Sequence, residues 1–206
     1  DQLTKLGLEY IILDATSVED ISEAAYKKHY FDWQRPLRKT EVACYYSHRS
    51  AWDRVIKSGE PALILEDDVI LSIFLPELLD SLNKIKSTDL INLENRGRKK
   101  FVSRSHMDIE CNSKLLRLYQ DRTGAAGYIL WPSGANKLIQ LEKNSGIGLV
   151  DAHITSCYSL KAYQVEPSPI IQLDQCKIYG VTNTYTETAS KSTVSVSDND
   201  KGGIYF

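Results

Sequence analysis

Two rhythms of apolar and polar positions run along the chain. Short continuous apolar runs read as strands covered on both faces. Residues 62–65 are Ala-Leu-Ile-Leu and run straight into Glu66, Asp67 and Asp68, while residues 89–94 form a second such run ending at Glu94. Residues 9–13, 115–119 and 128–131 read as further strands, and 163–173 as an extended stretch broken by Pro167 and Pro169. Helical spacing fills the intervals. Ser17 and Asp20 make a capping-box-like start for a helix to about His29, and Thr40 is a good N-cap for the next. In that helix Val42, Tyr45, Tyr46, Trp52, Val55 and Ile56 define one apolar face, closed by Gly59 and Pro61. Residues 76–86, 133–143 and 150–160 read as three more helices, the last with Asp151 in its first turn. Residues 30–38, the basic run 96–100 and the small-residue segment 123–127 are loops. Strands alternating with helices predict an α/β fold with a mostly parallel sheet flanked by helices.

From residue 179 onward the chain is rich in Ser, Thr, Asn and Asp without periodicity. One domain over residues 1–175 and a wrapping tail over 176–206 are therefore expected. The net charge is −2, which removes any global pull toward nucleic acid. Cys44, Cys111, Cys157 and Cys176 are widely spaced, with no Cys-x-x-Cys pair. Buried reduced thiols of a cytoplasmic protein are the simplest reading. No apolar segment is long enough for a bilayer and no signal peptide opens the sequence, which starts at Asp1.

The acids after the first apolar run change the picture most. Ligands gather outside the carboxyl ends of strands in open α/β sheets. Three adjacent carboxylates repel one another and resist leaving water. A hard divalent cation relieves both problems, and Mg²⁺ commonly takes one or two carboxylates together with substrate phosphates. A solvated acidic turn is the plain alternative.

The run Glu41-Val42-Ala43-Cys44-Tyr45-Tyr46-Ser47-His48, then Trp52, then residues 62–69, resembles glycosyltransferase family 25. That family holds bacterial lipooligosaccharide galactosyltransferases and their collagen-modifying relatives. Residues 123–128, Val150-Asp151 and Pro169-Ile170-Ile171-Gln172 resemble later family segments in the same order, so the likeness covers roughly residues 38–175. Two departures stand out. The family's opening strand, with its arginine-rich turn, is missing, and Ala43 stands where the family often has Gly.

The resemblance implies a GT-A-like, Rossmann-type fold, a UDP-sugar donor (most often UDP-galactose), Mn²⁺ or Mg²⁺, and transfer with inversion. Glu66-Asp67-Asp68 becomes the family's Asp-x-Asp equivalent. Asp68 is then the leading metal ligand, Glu66 a ribose or metal contact, and Asp67 a contact to metal or donor sugar. Inversion needs a base on the acceptor side. Asp151 is the first candidate, since it matches the family's later acidic site, although helix-start acids are also favoured by the dipole. Glu94, ending a predicted strand, is the rival. His48 is expected as a buried residue lining the site, with Ser47 as packing. Adjacent helix positions point apart and no Gly-x-Ser-x-Gly elbow exists, so a Ser/His hydrolase is not read here. Gly124 and Gly127 let backbone approach a ligand closely.

The reading implied is a metal-dependent inverting hexosyltransferase acting on a saccharide or glycolipid acceptor such as lipooligosaccharide. It is expected at the cytoplasmic face of the inner membrane, with peripheral contact through the basic residues 96–100 and Arg104. A non-catalytic nucleotide-sugar or glycan-binding module is the alternative. An aspartate-nucleophile phosphatase fits less well, because Ile70 and Leu71 follow Val69 where that chemistry needs Asp-x-Asp-x-Thr.

Overall fold

A computed structural model describes residues 2–120 and 124–182. In chain order its elements are α1 (Gln2–Lys5), α2 (Glu23–His29), α3 (Lys39–Ser58), β1 (Ala62–Leu65), β2 (Val69–Leu71), α4 (Leu75–Leu82), β3 (Leu90–Asn92), β4 (Phe101–Ile109), β5 (Ser113–Gln120), β6 (Gly127–Leu130), α5 (Pro132–Ser145), α6 (Val150–Ser156), β7 (Ala162–Glu166), β8 (Ile170–Gln172) and α7 (Leu173–Cys176). The α/β class expected from the sequence holds. Thr123 and residues 183–206, which include most of the expected tail, lie outside the described residues.

The expected mostly parallel sheet is corrected. Six strands lie in the order β1-β6-β3-β7-β5-β4, and β3 with β7 is the one parallel pair among their neighbours. The physical reason is instructive. Continuous apolar runs report that both faces are covered, and carry no information on strand direction. β1, β3 and β7 do run the same way, as their alternation with helices predicts, but β6 is inserted between β1 and β3 in the opposite sense. The chain also leaves β3 without a crossover helix and makes the β4–β5 hairpin instead. β4 shows no apolar alternation and is almost wholly exposed, which is why the sequence pattern marks no strand there.

The two faces of the sheet carry two apolar clusters, and period two divides the strands between them. Leu90, Leu118, Tyr128, Leu130 and Ala162 join α3, α5 and α6 in one cluster. Ile91, Leu115, Ile129 and Val165 join Val69, Leu75, Leu82 and Ile170 in the other. β1 sits at the sheet edge and is only half-buried, not covered on both faces as expected. β2 and β8 form a separate antiparallel pair just beyond the acids.

Local chemistry explains the remaining departures. Residues 9–13 belong to no strand, and Ile11 and Ile12 are 66% and 79% exposed. Ser17 and Asp20 do bond reciprocally, yet they close a turn at 18–20. The helix starts later, at Glu23, after the N-cap Ser22, whose hydroxyl accepts from the Ala25 amide. α3 begins one residue before Thr40, because the Glu41 carboxylate accepts from the Arg38 amide at 2.8 Å while also gripping Arg35. Gly59 closes that helix at φ +75°, as its position predicts. Residues 76–86 and 150–160 give shorter helices than expected, α4 and α6.

Candidate functional site

Strand direction positions the site. β1 and β3 run the same way, so Glu66 to Asp68 and Glu94 leave the sheet at the same end. The antiparallel β6 enters there, and its approach is stitched to both. The Glu66 amide donates to the Ala126 carbonyl and the Leu93 amide to the Gly127 carbonyl, each at 3.0 Å. Leu173 N donates to the Asp68 carbonyl at 2.8 Å and carries the end of β8 alongside.

The three acids are not equivalent. Glu66 and Asp68 are half-buried, whereas Asp67 is exposed. Gln172 joins the first two: its Nε2 donates to Glu66 Oε2 at 3.1 Å and lies 3.3 Å from both Asp68 oxygens. Burial, with the charge of Glu66 adding to it, pushes Asp68 up to about 6 despite the Gln172 amide. The other oxygen of Glu66 faces α3. His48 Nε2 lies 3.2 Å from Glu66 Oε1, and His48 Nδ1 lies 2.9 Å from the Tyr128 hydroxyl. That hydroxyl also accepts from Trp52 Nε1 at 2.8 Å. His48 is buried, as expected. Ser47 is engaged elsewhere, donating to the Ala43 carbonyl and accepting from Thr16 N.

Glu94 has no exposed surface. Its Oε2 accepts from the Ala126 amide at 2.9 Å, Arg96 stands 3.9 Å from Oε1, and Oε1 itself has no hydrogen-bond partner. Burial pushes Glu94 up to about 7. Gly124, at φ +98°, lies over this carboxyl so closely that a Cβ would fall 2.6 Å from Oε2. A Cβ at Gly127 would meet the Ile170 side chain at 2.7 Å. Both glycines therefore admit the protein's own side chains. Asp151 sits in the first turn of α6, half-buried, with Oδ1 accepting from Ala152 N.

Glu94 makes fold stability depend on pH. A carboxyl raised in the folded state holds its proton more tightly there than in the unfolded chain. Stability is then greatest below the ordinary value and is lost as pH rises through about 7. Glu94→Gln keeps an acceptor for Ala126 N without the charge. It should match the wild type near pH 4 and exceed it at pH 8 by roughly 3 kcal/mol. Urea unfolding of both proteins across that range checks it.

Sequence reasoning assigned no role to three residues that the site uses. Tyr128 orients His48, and Gln172 bridges the acids. Cys44 lies one helical turn before His48, and its sulfur falls in one group with His48 and Glu66, all ligand atoms within 4.8 Å of one another. Burial raises its thiol strongly, and Glu66, Asp151, Glu41 and Asp68 add to that. The i, i+4 spacing of Cys44 and His48 is the signal that points to this pair from sequence. Of the basic run, Arg96 pairs with Asp174 at 2.9 Å and Lys100 donates to the Glu94 carbonyl and to Gln164. Arg98, Lys99 and Arg104 are exposed. Cys44, Cys111 and Cys176 are free thiols, and among the described residues no helix is long and apolar enough to cross a membrane.

Comparison with known proteins bears on this geometry. The family model of glycosyltransferase family 25 (LPS biosynthesis protein) matches residues 1–154. The chain is 29% identical over 139 residues to procollagen galactosyltransferase 1 of Danio rerio, covering 61% of this chain and 21% of that protein. A Haemophilus influenzae protein whose name makes it a provisional glycosyltransferase is 24% identical over 181 residues, 84% of this chain and 64% of that one. A glycosyltransferase 25 family member of Anopheles gambiae is 28% identical over 127 residues, 59% of this chain and 21% of its own. The chain thus spans less than two thirds of the length of each of these relatives.

Proposed function

Because the chain belongs to glycosyltransferase family 25, we propose that it moves a hexose, galactose first among candidates, from a UDP-sugar to a saccharide acceptor with inversion. The observation that carries this reading is the convergence of Glu66 and Asp68 on the single amide of Gln172. Two half-buried carboxylates share one neutral donor, and Gln172 Oε1 is itself buried without a hydrogen-bond partner. That cluster has unspent acceptor capacity and suits a hard divalent cation, Mn²⁺ or Mg²⁺. Asp68 and Glu66 would hold it, and once bound it would offset the charge left on the UDP diphosphate.

The chain's own groups do the rest. Asp67, exposed beside them, is placed to contact donor sugar or ribose. His48, fixed by Tyr128, holds Glu66 in orientation. Access separates the two candidate bases. A base must touch the acceptor hydroxyl, and Asp151 is half-buried while Glu94 has no exposed surface. Asp151 is therefore assigned the proton from the attacking hydroxyl. Glu94 is a positioning residue that pins the segment at Gly124 to Ala126 against the end of β3. A GT-A-like arrangement accords with acids at the carboxyl end of β1.

The family description, LPS biosynthesis protein, supports a glycolipid acceptor such as lipooligosaccharide. Exposed Arg98, Lys99 and Arg104, with Phe101 65% exposed beside them, suit peripheral contact with an anionic membrane surface. The free thiols of Cys44, Cys111 and Cys176 accord with the cytoplasm.

Donor hydrolysis tests the reading without knowledge of the acceptor. A panel of UDP-hexoses with Mn²⁺ should give UDP release from one donor, silenced by EDTA. UDP binding with no release from any donor would replace this reading with a non-catalytic nucleotide-sugar module.

A further inference from the structure

Glu66 presents its two oxygens to two different chemistries. Oε2 faces the amide of Gln172 and the oxygens of Asp68. Oε1 faces an imidazole nitrogen and, in the same group, a sulfur. Among the described residues, Cys44, His48 and Glu66 form the group of metal-ligating side chains whose donor atoms all lie within 4.8 Å of one another. Asp67 and Asp68 are not part of it. We propose that Cys44 Sγ, His48 Nε2 and Glu66 Oε1 form a site for a thiophilic divalent cation such as Zn²⁺, which differs in donor chemistry from the oxygen-only site at Asp68 and shares the Glu66 carboxylate with it through the other oxygen.

Three features carry the assignment. Cys44 and His48 lie one turn apart on the same face of α3, a 20-residue helix capped at both ends, so the two donors are preset by rigid backbone. One thiol, one imidazole and one carboxylate are the ligand types that zinc takes, and three protein ligands leave a fourth, open position. His48 also has the outer partner that a ligating imidazole needs. The Tyr128 hydroxyl oxygen lies 2.9 Å from Nδ1, and with that oxygen accepting Nδ1–H the Nε2 lone pair turns to the cation, which takes the place of the present 3.2 Å contact with Glu66 Oε1. Trp52 Nε1 holds that hydroxyl in place at 2.8 Å, and Tyr128 is only 1% exposed. Binding is a simple exchange: the Cys44 S–H bond breaks, the proton passes to solvent, and the sulfur lone pair forms the bond to the cation.

The test uses Co²⁺ as a coloured stand-in for Zn²⁺ on the full chain under anaerobic conditions. One equivalent should bind with a thiolate-to-metal charge-transfer band, released by Zn²⁺ and accompanied by one proton. Cys44→Ser should abolish the band and weaken binding at least tenfold, while Asp68→Asn and Cys111→Ser keep it. Absence of the band in the wild type, or its persistence in Cys44→Ser, overturns the site. A second measurement needs no variant at all. Zn²⁺ should protect Cys44 from alkylation, located by peptide mass mapping, without protecting the more peripheral Cys111, and equal labelling of Cys44 with and without Zn²⁺ also overturns it. Asp68→Asn separates this proposal from the transferase reading, since loss of turnover there leaves the cobalt band intact.

Discussion

Asp68→Asn should lower donor turnover by about a thousandfold or more and remove metal-dependent UDP binding in the same step. The substitution keeps shape and hydrogen-bonding capacity but takes away the charge that lies 3.3 Å from Gln172 Nε2. Loss of a cation that stabilises a leaving diphosphate costs several kcal/mol of barrier, and each ~1.4 kcal/mol is tenfold in rate. The same carboxyl sets an acid limb. With Asp68 pushed up to about 6, its charge is lost as pH falls through that value, so metal-dependent UDP affinity should decline below about pH 6. Asn at this position should flatten that limb. Calorimetric titration of UDP with and without Mn²⁺, at pH 5 and pH 7.5, reads both effects, and wild-type turnover in the variant would refute the assignment.

Asp151→Asn is the second large effect, and its character differs. A base acts on the acceptor hydroxyl in the transition state and contributes roughly 10²–10⁴ in rate. Transfer should fall by that factor, while UDP-sugar binding and its metal dependence stay at wild-type levels. The variant should also fold normally. Asp151 makes one local bond, to Ala152 N, and an amide oxygen accepts it equally well. Steady-state transfer beside a direct binding measurement separates kcat from affinity. Equal loss of both would mean that Asp151 holds the donor and does not serve as base.

Local runs of sequence made part of this site legible. Glu66 to Asp68 follow an apolar run without a break, and Glu94 ends another, so their place at strand ends follows from pattern alone. His48 was readable as buried because its spacing puts it on the same helix face as Tyr45, Trp52 and Val55. Strand direction was not legible, since a run such as Leu90–Asn92 is apolar whichever way its neighbours point. Residues 9–13 have the composition of a strand and find no partner among the described residues. β4 pairs with β5 at both of its ends, with a break in register between Val102 and His106, while exposing nearly every side chain, so no apolar rhythm marks it. Tyr128 and Gln172 escaped for another reason: their roles arise from contacts 80 and 104 residues away, which no window on the sequence spans.

That last separation has a consequence for biosynthesis. Gln172 closes over Asp68 only after 104 further residues have been made, in a chain that emerges from the ribosome amino end first. Throughout that interval the nascent chain carries Glu66 and Asp68 with their mutual repulsion unrelieved by the amide that later joins them. On the α3 side, by contrast, the three donor residues are all made as soon as Glu66 appears, and only Tyr128, the partner of His48, is still to come. Cys44, His48 and Glu66 can meet early, whereas the Asp68 side is among the last parts of the described chain to be assembled.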